Sequence, residues 1–576
     1  MNTVAEIDII TTEIIRSGLV AASEEMAKTL VRTAFNPVLY DIKDFGMALI
    51  SAEGELWSEA PGCVIFGRSL PSTIRNGLNK HGADGFRDGD VLIVNDPYET
   101  GTHLADTTIY IPIFHDTQLI AFAASTAHWI DLGGITSGGV CPFSKDIYQE
   151  GLCFQHQKLY SAGLKNQDLM DIVKSNVRIP LIAMGDMNAQ IAACRQGVLR
   201  VKALCARYSP QTVTAAMSQV IQRTDQAMRR MIRELDDGSY TSSILLDAGP
   251  DVSSENPELC LQVTIVGDEI TIGFDGTSAA NNGPLNLPKI GAEAEISAVM
   301  KSILLPDDAS NEGHTKALTF TIPDGLMVSP QRPTPVDCYA FVAECLFESV
   351  LRIFSGIVRE RCPAGGYQLC GIGIMRTDPK YGEPFVLMEP LVGGNGALPH
   401  DDGPTMMFIG NGDVPNLPTE VLENRYPLRV ERYELLPEAA GWGKYRGGCG
   451  LRKDYRVLED GVYLLIGTDN SHNTTARGLF GGEDGEPNEF VCWPRTDKEK
   501  VLRERVSNYG PFSRNDLISV RSGGGGGWGQ RSERDPQRVI SDVRNQYLDV
   551  WQAEELYGIR VWEENGSWRS EPIGIS

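Results

Sequence analysis

Ile15, Leu19, Ala22, Met26 and Leu30 recur at steps of four, three, four and four, an apolar stripe that predicts a helix over residues 7–34. Asn36-Pro37 ends it, because the residue before a proline avoids the α region. Short strands are expected at 46–51 and 55–57, a helix at 71–80, and a buried strand in the apolar run 91–94. Residues 107–114 and 118–125 are two β-prone apolar runs with only His115-Asp116-Thr117 between them, which reads as a hairpin. Helices are predicted at 167–173, 188–208 and 210–235. Strands take over at 240–276, including a hairpin of 259–266 with 269–274 about Gly267-Asp268. Helical patterns return at 291–304 and 339–359. From about residue 365 Gly-rich loops alternate with short strands, up to a terminal helix at 537–555. The run Gly523–Gly527 reads either as a linker or as an ordered backbone turn.

These elements give an α+β, multi-domain chain of mixed helices and largely antiparallel sheets. The composition shifts divide it into an N-terminal α+β region (1–238), a central α+β region (239–363) and a Gly-rich, β-containing C-terminal region (364–576).

Composition narrows the partners. The chain has 576 residues, 52 basic against 76 acidic, for a net charge of −24. Such a field repels phosphate backbones and anionic membrane surfaces, so nucleic acid and membrane are not expected as partners. No apolar run reaches the roughly 20 residues needed to span a bilayer. Residues 1–18 lack the basic start and compact apolar core of a signal peptide, so a cytoplasmic location is expected. The 12 cysteines form no Cys-x-x-Cys and are expected to be reduced, mostly buried thiols.

Candidate chemistry collects at one end of the hairpin. His103 and Asp106 precede its first arm, and His128 follows the second. Folding about the 115–118 loop pairs residues whose numbers sum to about 233. Asp106 then faces Ala127, His103 faces Ile130, and His128 lies one position away. Two imidazoles and a carboxylate are a donor set suited to Zn²⁺, with Mn²⁺ or Fe²⁺ as alternatives. Asp131 is placed to orient an imidazole, and Asp41 and Asp44 are further carboxylates near the first strands. The sequence holds no phosphate-binding loop of the Gly-x-x-x-x-Gly-Lys-Ser/Thr type and no dinucleotide fingerprint, so ATP is not expected to bind this chain by itself. Gly-x-Ser-x-Gly and His-Glu-x-x-His are likewise missing. Cys141 and Cys153 are the thiols nearest the expected site.

The segments DVLIVNDPYETGTHLADTTIYIPIF, TAHWIDLGG, NVRIPLIAMGDMNAQIAACRQG, FDGTSAANNGPLN, GGNGALPHDDGP, LPTEVLENRYPLRVERYEL, GKYRGGCGL and SGGGGGWG, read in that order, resemble the hydantoinase B/oxoprolinase family, which includes the acetone carboxylase alpha subunit. The resemblance spans nearly the whole chain. It implies a hydantoinase B-like fold and a hetro-oligomer with a hydantoinase A-type subunit, on which ATP and Mg²⁺ are expected. The activity it implies is ATP-dependent opening of a small cyclic amide (a lactam, a hydantoin or 5-oxoproline), with water attacking a phosphorylated amide. In the carboxylase branch a His-x-x-Asp pair and a later His bind the metal. These match His103, Asp106 and His128, and an acidic position matching Asp41 adds a fourth ligand or a general base. Two departures stand out: Thr126-Ala127-His128-Trp129 where Arg-Ala-His-His is common, and Asp44-Phe45-Gly46 where Asp-Phe-Ser is common. The alternatives left open are a subunit of an ATP-dependent ketone carboxylase and a non-catalytic scaffold subunit.

Overall fold

The computed structural model describes residues 7–136, 141–247, 256–376, 378–408, 414–468, 475–502 and 505–573. The chain divides into two compact units. The first comprises Met1–Ile244, Pro250–Ile353 and Asn411–Val414. The second comprises Leu245–Gly249, Phe354–Gly410 and Pro415–Ser576.

The first unit is built on a seven-stranded antiparallel sheet. Its strands are β1 (Phe45–Ser51), β2 (Leu56–Glu59), β3 (Val91–Val94), β4 (Asp106–His115), β5 (Gln118–His128), β6 (Gln157–Ser161) and β7 (Leu164–Lys165), in the order β2-β1-β5-β4-β3-β6-β7. Both faces of the central strands are covered, which is why β1 reads as a continuous apolar run. Met47 and Leu49 join one core with Ile109, Ile111 and Ala123, while Ala48 and Ile50 join a second with Tyr110 and Phe122.

Helix α1 (Ile9–Thr33) packs on the first face through its predicted stripe, and the Asp8 side chain caps its start by accepting Thr11 N–H. Beside it lie α6 (Pro180–Tyr208) and α7 (Pro210–Ile232), with α5 (Gln167–Asn176) against α6. Gly197 of α6 has Met26 Sδ and Ala123 Cβ within 2.5 and 3.1 Å of where a Cβ would stand, so a larger residue would force the helix off the sheet. The sequence pattern started α6 at residue 188, after Gly185 and Asp186. In the structure the helix begins at Pro180. A side chain at Gly185 would strike the Phe35 ring, and Asp186 Oδ1 accepts the N–H groups of Phe35 (2.7 Å) and Asn36 (3.2 Å).

The opposite face is covered by α3 (Val64–His81). The sequence pattern starts this helix at Pro71, a residue that suits a first turn. Instead Pro71 lies inside it. An interior proline costs about 3 kcal/mol. Extending the helix back to Val64 completes a buried stripe of Phe66, Leu70 and Ile74, at about 1.5–3 kcal/mol per side chain, which offsets that cost.

A second sheet of this unit has the order β11-β10-β9-β8, from β8 (Gly238–Leu245), β9 (Glu258–Val266), β10 (Glu269–Gly273) and β11 (Leu318–Thr321). The expected hairpin β9–β10 is there, turning at Gly267 with φ +61°, and β11 adds parallel to β10. Helix α8 (Lys289–Leu304) packs on α3, and α9 (Tyr339–Ile357) belongs to this unit up to Ile353.

The second unit holds a five-stranded and a four-stranded sheet, both antiparallel. Its Gly run is no linker. Successive N–H groups from Gly524 to Gly529 are donated to the carbonyls of Glu486, Gly448, Gly365, Glu483, Tyr445 and Leu479, at 2.8 to 3.2 Å. The neighbouring segment recurs every third residue: Gly524 and Gly527 bond one, Gly525 and Trp528 another. That is the three-residue turn of a polyproline II-type helix, whose backbone bonds all go outward. A Cβ on Gly525 would stand 1.9 Å from Asn395 O, so only glycine admits the surrounding backbones. The expected terminal helix is two, Pro536–Arg544 and Val550–Tyr557, broken where Gln546 takes φ +63° and followed by a hairpin of Ile559–Glu564 with Ser567–Pro572.

Candidate metal centre

The segment 95–106 is shaped by its own polar residues. Asn95 donates to Leu104 O (2.8 Å) and Leu152 O (3.0 Å), tying two loops together. Asp96 caps the single turn α4 (Pro97–Thr100) and pairs with Arg332 (2.5 Å). Gly101 leaves that turn at φ +96°, with Gly291 N only 2.7 Å from where a Cβ would stand. The chain then presents His103, and Asp106 opens β4.

The hairpin register differs by one from the sequence estimate. A bulge between Ile113 and Phe114 shifts the pairing, so Asp106 lies directly opposite His128 and Thr107 opposite Ala127. A buried glutamine on α6 locks this end. Gln190 Oε1 accepts the Trp129 indole N–H (2.8 Å), and its Nε2 donates to Thr107 O (2.9 Å) and Ser125 O (3.0 Å). Trp129, within one of the two departures noted in the sequence, is thereby turned into the α6 side of the core. Gly46, at the other departure, lets β1 meet α3: a Cβ there would lie 2.6 Å from Phe66 Cβ.

His103 Nε2, Asp106 Oδ1 and His128 Nδ1 form a triangle with sides of 3.1, 3.2 and 3.2 Å. The three residues are 6%, 0% and 7% exposed. Among the described residues they are the His/Cys/Asp/Glu group whose donor atoms converge closely enough for one ion. An ion about 2.0–2.1 Å from tetrahedrally placed ligands holds them about 3.3 Å apart, so the triangle already has the right size. Asp106 Oδ2 is buried without a hydrogen bond of good geometry, the Tyr339 hydroxyl lying beside that carboxylate. The donor set therefore fits a divalent cation.

Charge in the triangle is tightly coupled. Burial disfavours protonation of His103, yet Asp106 and Asp337 outweigh it and hold its pKa well above the ordinary value. Burial likewise opposes ionisation of Asp106, and the two imidazoles overcome it and keep the carboxyl well below its usual range. Asp44 Oδ2 stands 3.9 Å from His128 Nδ1, with about a quarter of its side chain (26%) reaching solvent. Desolvation pushes its pKa up to about 6, against the pull of His128.

Asp41 ends α2 (Pro37–Tyr40) and is not one of the three residues of the triangle; besides Asp106, Asp44 approaches His128, at 3.9 Å. Asp131, expected to orient an imidazole, is engaged instead by Arg178 (2.7 Å) and Gly133 N–H (3.2 Å). That orienting position falls to Asp337, whose Oδ1 lies 3.2 Å from His103 Nδ1. Tyr339 adds a ring edge-on to His103, with centroids 5.1 Å apart. Sequence reasoning missed both, because they lie more than 200 residues downstream at the start of a helix whose pattern carries no sign of the site. Burial pushes the thiols up, Cys141 to about 12 and Cys153 to about 11, so neither is a ready nucleophile. The cysteines are thiols rather than halves of disulfides, and most are buried.

The profile of the family described as hydantoinase B/oxoprolinase matches residues 8–531. The caprolactamase subunit beta of Pseudomonas jessenii is 28% identical over 593 residues, covering 98% of each chain. The crystal structure of the ATP-dependent caprolactamase from Pseudomonas jessenii superposes with a TM-score of 0.86 at 25% identity, over 97% of this chain and 98% of that one. A nucleotide-free acetone carboxylase structure gives the same TM-score of 0.86 at 19% identity, over 98% of this chain and 81% of that one, a likeness of fold. Among the described residues no helix is long and apolar enough to cross a membrane.

Proposed function

Because the chain belongs to the hydantoinase B/oxoprolinase family, we propose that it is the ion-holding subunit of an ATP-dependent hydrolase of cyclic amides. Lactams and hydantoins are the substrate class. The ATP-binding partner is of the hydantoinase A type, and the complex acts in the cytoplasm. The observation that carries the reading is the buried triangle of His103 Nε2, Asp106 Oδ1 and His128 Nδ1. A divalent cation held there, zinc first and manganese or iron as alternatives, supplies Lewis acidity that polarises oxygen and lowers the pKa of water.

An unstrained amide resists water at neutral pH. Transfer of the γ-phosphoryl group from ATP to the amide oxygen leaves an electron-poor carbon. Water then adds to that carbon, the ring C–N bond breaks with a proton passing to nitrogen, and a second water releases phosphate. Asp106, kept ionised by its imidazoles, gives the site a fixed negative charge. Asp44, partly open to solvent beside His128, is placed to take a proton from attacking water. Asp41 keeps the assignment of fourth ligand or general base that the family resemblance supports. Tyr339 stays protonated, as burial and the Asp106 charge hold its pKa well above the ordinary value, and it can donate a hydrogen bond at the site.

The test is ADP release by this chain co-purified with its partner, over hydantoins, lactams, 5-oxoproline and small ketones, with and without bicarbonate. Release stimulated by a cyclic amide, independent of bicarbonate and matched by ring-opened product, is the expected result. Stimulation by a ketone that needs bicarbonate for product would move the assignment to carboxylation. Normal turnover by folded variants lacking the triangle would move it to a scaffold role.

A further inference from the structure

We infer that Asp337 is the positioning residue that decides which nitrogen His103 offers to the ion; the inference rests on the metal reading above. The imidazole has two nitrogens, and in the neutral ring one carries hydrogen while the other carries the lone pair. Nε2 points into the triangle, 3.1 Å from Asp106 Oδ1 and 3.2 Å from His128 Nδ1. Nδ1 points out of it, 3.2 Å from Asp337 Oδ1. A carboxylate beside Nδ1 selects the tautomer with the proton there. The Nε2 lone pair is then free for a cation. The opposite tautomer would set a lone pair against the Asp337 carboxylate and aim a proton at the ion.

Asp337 is itself immobilised. Its Oδ2 accepts the Cys141 backbone N–H at 2.6 Å. Glu150 Oε1 accepts the backbone N–H groups of Val336 (3.0 Å) and Asp337 (3.1 Å) and the Ser144 hydroxyl (2.8 Å). Asp337 is 7% exposed, and Glu150 5%. The loop between β5 and β6 thus holds the start of α9 against the histidine, and Tyr339 lies edge-on to the same ring from the next turn of chain. A side chain merely filling space would not need a carboxylate anchored at both oxygens and at its own backbone.

The test uses the full chain and Co²⁺ as the probe, titrated in competition with a chelator. Asp337→Asn is expected to weaken Co²⁺ binding about 10- to 100-fold and to alter the visible cobalt spectrum. Equal affinity, within threefold, and an unchanged spectrum would overturn the role of Asp337 while leaving the metal reading standing. Wild-type chain that binds no Co²⁺ would overturn the metal reading itself. A second measurement needs no Asp337 variant: ¹⁵N spectra of the zinc-loaded, histidine-labelled chain, with His103 assigned by the signal lost in His103→Gln. With only eight histidines to resolve, hydrogen on Nδ1 and none on Nε2 is the expected pattern. Hydrogen on Nε2 would overturn the inference.

Discussion

Replacing Gln190 by leucine, nearly the same in volume, should loosen the end of the hairpin that carries the triangle. The side chain makes hydrogen bonds of 2.8, 2.9 and 3.0 Å, to the Trp129 indole and to the carbonyls of Thr107 and Ser125. Thr107 adjoins Asp106, and Trp129 adjoins His128. Gln190 is fully buried and Trp129 is 1% exposed, so no solvent replaces the lost partners. Three bonds at about 1 kcal/mol net each, with a buried indole N–H left unpaired at about 1–3 kcal/mol, are partly offset by the leucine's apolar burial. The loss should come to about 2–4 kcal/mol. Each 1.4 kcal/mol is tenfold, so local opening rises about 30- to 700-fold. Amide hydrogen exchange read by mass spectrometry on peptides covering β4 and β5 measures that opening directly. Exchange there should accelerate by at least about 30-fold, with little change in peptides of the second unit. Rates within threefold of wild type would refute the argument that this buried amide secures the site.

The double variant His103→Ala, His128→Ala should lose bound metal in elemental analysis; full occupancy retained would remove the metal assignment. Asp44→Asn should lower kcat more than Asp41→Asn if the acid facing His128 handles the proton; the reverse order in steady-state turnover would return that role to Asp41. Burial of Asp186 pushes its pKa up to about 6, its accepted Phe35 and Asn36 N–H bonds pulling the other way. Its folded pKa thus lies above the unfolded value of about 3.9, so its contribution to stability is complete below about pH 4 and lost as pH rises through about 6. Asp186→Asn should therefore flatten the fall in unfolding free energy between pH 4 and 7 by up to about 3 kcal/mol in denaturant titrations, and an unchanged slope would contradict it. Gly525→Ala puts a Cβ 1.9 Å from Asn395 O and should destabilise the second unit by more than about 4 kcal/mol, seen as insoluble or protease-sensitive protein; a soluble, protease-resistant variant would contradict the packing.

Local order was legible in the chain because its causes are local. The α1 stripe, the hairpin arms and the meeting of His103, Asp106 and His128 at one end follow from residues within one helix or one hairpin, where periodicity and turn chemistry act over a few positions. Even there the register was off by one, since the bulge at Ile113 and Phe114 has no sign in an alternating apolar run. The pattern starts two helices late, at residues 71 and 188 rather than at Val64 and Pro180, for a related reason. Proline and glycine penalties are readable in sequence, but the buried stripe and the Phe35 contact that override them come from packing.

The rest depended on segments far apart in sequence. Asp337 reaches His103 across 234 positions. The Gly run earns its glycines from backbones at 365, 448 and 483–486, which surround it only once the second unit is folded. A pattern along the chain records which side of its own element a residue faces. It holds no record of which distant carboxylate, carbonyl or backbone will arrive there, and in this protein those arrivals set a carboxylate beside His103 and exclude a side chain at Gly525.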